Sequence, residues 1–125
     1  MNYKGVIVEE SLLDKRLLEE LKINATKVEP VTERHNTPQI KQWTLHTVEI
    51  SENQAEDLAQ KLSKSLSNNP TAWYADFKND KYHYIIFADK VFFIERGNPE
   101  EYEKAKQYGL SLGIPVYQVD FGPDN

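Results

Sequence analysis

The chain has 125 residues, 39% apolar and 28% charged, a formal net charge of −5 and no cysteine. These values suit one globular domain spanning residues 1–125 and exclude global disorder, disulfides, thiol catalysis and cysteine-ligated zinc. Acidity argues against nucleic acid or an anionic membrane as partner; no apolar run could span a bilayer, and the N-terminus lacks a signal-peptide core, so a soluble, cytoplasmic protein is expected.

Tyr3–Glu9 reads as a strand centred on Gly5-Val6-Ile7-Val8, after which Ser11 offers an N-cap. Leu13, Leu17 and Leu21 recur at helical spacing, with Leu12 and Leu18 alongside, and predict a helix over Leu12–Lys22. Ala25–His35 alternates polar residues with Val28 and Val31; Pro30 cannot donate to a ladder, so this strand belongs at a sheet edge or carries a bulge. Asn36-Thr37-Pro38 is a turn and Ile40–Ile50 a strong strand.

Ser51 with Gln54 forms a capping-box pattern, and Ala55, Leu58, Ala59, Leu62 and Leu66 make one apolar stripe of a helix that Ser67-Asn68-Asn69-Pro70 ends. Three strands follow as a meander: Trp73–Phe77, Tyr82–Phe87 and Val91–Glu95. Gly97–Glu101 opens a last helix, with Asn98 as N-cap, Pro99 in the first position and acid in the first turn. Gly113 and Pro115 end it, and Val116–Phe121 reads as a final strand.

The order is β-α-β-β-α-β-β-β-α-β, an α+β domain whose first six elements have the βαββαβ order of ferredoxin-like folds. Hairpin links predict a largely antiparallel sheet with three helices mainly on one face. The middle strand of the meander has apolar residues on both faces, Tyr84 and Ile86 on one, Ile85 and Phe87 on the other, so both need cover. With helices on one face, a second copy is expected on the other, at an interface of Trp73, Tyr82 and Tyr84.

The meander also carries the chain's best constellation. With two-residue loops at Asn79-Asp80 and Asp89-Lys90, Phe77 faces Tyr82, Asp76 faces His83 and His83 faces Arg96, one row across three strands. An acid beside a histidine raises its pKa and an arginine lowers it, so Asp76 could orient His83 as a general base while Arg96 holds an anion. The plainer reading is a cross-strand ion pair, each such pair contributing only about 0.2–1 kcal/mol. Tyr74, His83 and Arg96 are the candidate ligand contacts. His35, His46 and His83 lack metal-ligand spacing, no glycine-rich phosphate loop exists, and no metal or cofactor is expected. Glu9-Glu10 and Glu100-Glu101 read as solvated helix entrances.

The segments YADFKNDKYHYIIF, KVFFIER and YGLSLGIPVYQVDF resemble a group of small uncharacterised bacterial and archaeal proteins. That resemblance carries no activity or site residue with it. Two functional expectations stand. One is a non-enzymatic, self-associating protein that binds a partner or small ligand through its aromatic sheet. The other is a small enzyme using His83, Asp76 and Arg96 on an anionic small molecule.

Overall fold

A computed structural model describes residues 1–32, 40–67, 72–119 and 121. The expected turn at Asn36-Thr37-Pro38, His35 and most of the chain's last residues lie outside them. Six strands form one sheet: β1 (Tyr3–Val8), β2 (Lys22–Pro30), β3 (Gln42–Ile50), β4 (Tyr74–Lys78), β5 (Tyr82–Phe87) and β6 (Lys90–Glu95). Two α-helices are α1 (Ala55–Ser65) and α2 (Pro99–Ser111). The class is α+β, and the elements alternate as the sequence pattern indicates through α2.

The strand order is β2-β3-β1-β4-β5-β6, with every neighbouring pair antiparallel. β1 lies between β3 and β4, so each strand–helix–strand passage steps over one strand, which is the split βαβ arrangement of ferredoxin-like folds. β2 is an edge strand, as Pro30 requires, and has an irregularity between Ile23 and Ala25. Gly5 allows β1 to approach β4: a Cβ there would meet the Asp76 carbonyl and Phe77.

The helices divide between the two faces instead of gathering on one. Tyr84 and Ile86 point from β5 into a core with Tyr3, Ile7, Val48, Phe77 and the α1 stripe of Ala55, Leu58, Ala59, Leu62 and Leu66. Ile85 and Phe87 point the other way, into a second core with Ile94, Tyr102, Ala105, Ile114 and Val119. Each large apolar side chain fully buried this way contributes roughly 1.5–3 kcal/mol. The chain thus covers both faces of β5 itself, which removes the reason for expecting a second copy there.

Three local forms differ from the sequence expectation. Leu12–Lys22 is not an α-helix: Glu9–Ser11 and Lys15–Glu20 are 3-10 turns, and Leu12 makes a bridge to Leu66. Asp14 accounts for the break, its side chain taking the Arg16 N–H while Leu17 donates to the Asp14 carbonyl three residues back. Helix α1 begins at Ala55, because Ser51 to Gln54 form a turn first, Gln54 N–H donating to the Ser51 carbonyl at 3.0 Å. The expected strand at Val116–Phe121 is a 3-10 turn at Val116–Gln118 after Pro115, and Val119 packs beneath α2.

Helix α2 follows its sequence signals closely. Asn98 Oδ1 accepts from the N–H groups of Glu100 and Glu101, and Pro99 occupies the first turn. At the other end Gly113 takes a positive φ of 88°, while Gly113 and Ile114 donate back to Leu110 and Gly109. Gly109 sits inside the helix because a Cβ would stand 2.7 Å from Val119 Cγ1.

Candidate functional site

Both meander hairpins turn one residue away from the expected place. Asn79 Oδ1 accepts from the N–H groups of Lys81 and Tyr82, so Asn79 and Tyr82 close the loop around Asp80-Lys81. In the second hairpin Phe87 pairs with Lys90 around Ala88-Asp89. Asp89 takes the positive φ of 60°, and its N–H donates to the Ser63 carbonyl of α1.

Each shift moves the register by two residues. Phe77 lies opposite Tyr84 instead of Tyr82, Asp76 opposite Ile85, and His83 opposite Lys78 and Ile94. The direct row is therefore corrected to a diagonal one. Because side chains alternate with period two, a two-residue shift keeps Asp76, His83 and Arg96 on one face. Diagonal neighbours remain within reach of long side chains.

That reach is used. Asp76 Oδ2 lies 2.7 Å from His83 Nε2, and the Tyr102 hydroxyl of α2 lies 3.0 Å from His83 Nδ1. The Tyr102 ring packs edge-on against the imidazole at 5.6 Å. Arg96 hydrogen-bonds Tyr102 and donates through Nη1 to the Asn79 carbonyl at 2.8 Å. One assignment satisfies this chain with a neutral ring: Arg96 donates to the Tyr102 oxygen, Tyr102 donates to Nδ1, and Nε2–H donates to the Asp76 carboxylate. Burial lifts the Tyr102 pKa above its ordinary value, and Arg96 offsets part of that rise.

Access decides what this arrangement can do. His83 is only 1% exposed, whereas the Asp76 side chain is 33% exposed. An open groove of about 640 Å³ runs past the start of α2, lined by Lys81, Tyr82, Glu95, Arg96, Asn98 and Glu100 among others. Arg96 borders it; Asp76 and His83 do not. Tyr74 stands apart, its ring 5.2 Å from Phe121 and 6.2 Å from Phe87, and burial pushes its hydroxyl well above the ordinary tyrosine range. Of the candidate ligand contacts Tyr74, His83 and Arg96, Arg96 alone lines this groove.

The aromatic side chains expected at an interface are mostly internal. Trp73 is buried against Trp43, ring centroids 5.1 Å apart, and Tyr84 is buried against Tyr3 and Phe77. Tyr82 is half-buried and stacks at 4.9 Å on Phe93, itself 51% exposed at the edge of the sheet.

A second histidine–carboxylate contact escaped the sequence reading. His46 Nε2 lies 3.0 Å from Glu9 Oε1, and Nδ1 lies 2.9 Å from Thr26 Oγ1. Glu10 accepts from the N–H and hydroxyl of Thr44 at 2.6 and 2.8 Å. The signal was the acidic pair falling just where β1 ends, beside polar residues of a neighbouring strand. Among the described residues no group of three or more histidine, aspartate or glutamate side chains is placed to hold a metal, and no helix is long and apolar enough to cross a membrane. No family model, curated protein or solved structure matches this chain.

Proposed function

We propose that the chain is a cytoplasmic, non-enzymatic binding protein that self-associates, with Asp76, His83, Tyr102 and Arg96 acting as an internal brace between sheet and helix. The observation that carries this reading is the saturation of His83: both ring nitrogens have protein partners and the ring is almost wholly buried. A general base must reach the proton that it removes. His83 could do so only if α2 lifted and Tyr102 released Nδ1. Arg96 already donates to Tyr102 and the Asn79 carbonyl, which gives its guanidinium a structural role in the brace. Binding falls instead to exposed sheet surface and edges, with small ligands or a second copy as partners. The net charge of −5 disfavours nucleic acid among them.

Diethyl pyrocarbonate, which acylates accessible imidazole nitrogens, tests the brace. The expected result is no modification of His83 in the folded chain and ready modification in denaturant. Rapid acylation of His83 in the native chain would instead favour the enzymatic alternative, with His83, Asp76 and Arg96 acting on an anionic small molecule.

A further inference from the structure

The sheet ends in two edges of opposite character. β2 carries the usual protections against pairing: Lys22, Lys27, Glu29, Pro30 and an irregularity after Ile23. β6 has none in its centre, Val91-Phe92-Phe93-Ile94, and pairs with β5 in unbroken register. Such an apolar, regular edge is a template for another strand.

The ladder fixes what this edge offers. Arg96 N–H donates to the Lys81 carbonyl, so even-numbered residues of β6 turn their main-chain groups toward β5. Val91, Phe93 and Glu95 turn theirs outward. The Glu95 N–H is already taken by Glu101 Oε2 at 3.1 Å. Among the described residues, Val91 and Phe93 are left with N–H and C=O groups that no strand pairs.

Resting on the self-association reading above, we propose that β6 is the edge at which a second copy of this chain adds, antiparallel and about a twofold axis normal to the sheet. Such an axis keeps each sheet face on its own side, so opposing residues must have the same parity. With Phe92 opposite Phe92, Val91 meets Phe93 in both directions. Four hydrogen bonds then use all the outward groups of Val91 and Phe93 and leave Glu95 with Glu101. The next register, with Phe93 on the axis, sets Lys90 against Arg96 and Val91 against Glu95, and it competes with Glu101 for the Glu95 N–H. Charge and hydrogen bonding together select the first register. Its like-charged pair, Asp89 against Glu95, falls at the hairpin turn, where Asp89 has left the strand. The product is one continuous sheet across two chains.

Sedimentation equilibrium from about 1 to about 500 µM covers the range for an interface at the small end of the usual sizes. The expected mass rises with concentration toward twice the 14.5 kDa of one chain. Val91→Pro removes an outward N–H that β5 does not use, so the variant should fold and remain monomeric throughout. Phe93→Lys, at an exposed position, should do the same. Hydrogen exchange on the unaltered chain gives a check independent of variant folding: protection of the Val91 and Phe93 amides should grow at least tenfold from the lowest to the highest concentration. A single 14.5 kDa species at every concentration overturns both this interface and the self-association reading. A dimer that survives both substitutions, or shows no added protection at Val91 and Phe93, overturns the β6 edge and leaves self-association standing.

Discussion

The Tyr102 hydroxyl lies 3.0 Å from His83 Nδ1, on the opposite side of the ring from Asp76, so helix α2 holds the imidazole from behind while the sheet holds it in front. Three elements meet at that ring: the hairpin strands β4 through Asp76 and β5 through His83, and α2 through Tyr102, nineteen residues beyond His83. The contact ties the second core to the sheet by a polar bridge in addition to apolar packing.

Tyr102→Phe isolates the bridge. The ring still fills its place, but Nδ1 loses its donor inside a buried site. Leaving a buried acceptor unsatisfied costs about 1–3 kcal/mol. Urea unfolding should show a loss in that range with unchanged far-UV circular dichroism. A change under about 0.5 kcal/mol, the usual scatter for neutral surface substitutions, would mean that the hydroxyl is not part of a brace.

Much of this was legible before the structure, and the parts that were not have identifiable physical causes. Face assignments in the meander held because strand alternation depends only on parity, so Asp76, His83 and Arg96 stayed together through a two-residue register shift. The register itself was not legible. It is fixed by Asn79 Oδ1 taking two main-chain donors and by Ser63 of α1 capturing the Asp89 N–H, the latter a long-range contact. Nothing local in the sequence marks Tyr102 as a site member; its hydroxyl joins the site only because α2 lies over His83. Likewise Glu9 meets His46 only because β1 pairs with β3.

Gly109 provides a test of packing against propensity. In an exposed helix, replacing glycine by alanine gains roughly 1 kcal/mol. Here the new methyl would stand 2.7 Å from Val119 Cγ1 and 3.3 Å from Phe87 Cε1. Overpacking costs about 1–3 kcal/mol, so Gly109→Ala should be net destabilising, and adding Val119→Ala should restore part of the helix gain. Gly5→Ala should cost more, because its Cβ would meet the Asp76 backbone carbonyl, which cannot rotate away. Urea midpoints of the three variants check the ranking; a more stable Gly109→Ala chain would contradict the observed fit.

Tyr84→Asp and Trp73→Asp distinguish core from interface. Both side chains are buried within one chain, and a carboxylate at position 84 would also lie near Glu56. Losing a large buried aromatic alone costs about 3–5 kcal/mol, and an unpaired buried charge adds to this. Both variants should therefore unfold or melt far below the parent chain. A folded, monomeric Tyr84→Asp protein would return Tyr84 to the list of interface residues.

Alkali should unfold the chain through its tyrosines. Burial, followed by the nearby Glu56 carboxylate, pushes Tyr84 up to about 12, and burial raises Tyr3, Tyr74 and Tyr102 as well. An unfolded tyrosine ionises near 10, so between roughly pH 10 and 12 the folded chain binds more protons than the unfolded one. Stability is then full below pH 10 and falls as pH rises. Tyrosinate absorbance followed together with circular dichroism should show these side chains ionising as structure is lost. Their ionisation near pH 10 with the fold intact would contradict their burial.

The locked state of His83 is the claim on which the reading of this site depends, and nitrogen-15 NMR of its imidazole measures that state directly. At neutral pH the account predicts a single tautomer, protonated at Nε2 and accepting at Nδ1, with a slowly exchanging Tyr102 hydroxyl proton coupled across the bond to Nδ1. A mixture of tautomers in fast exchange, or a ring protonated at Nδ1 with Nε2 open to solvent, would contradict it and leave the imidazole free to act as a base.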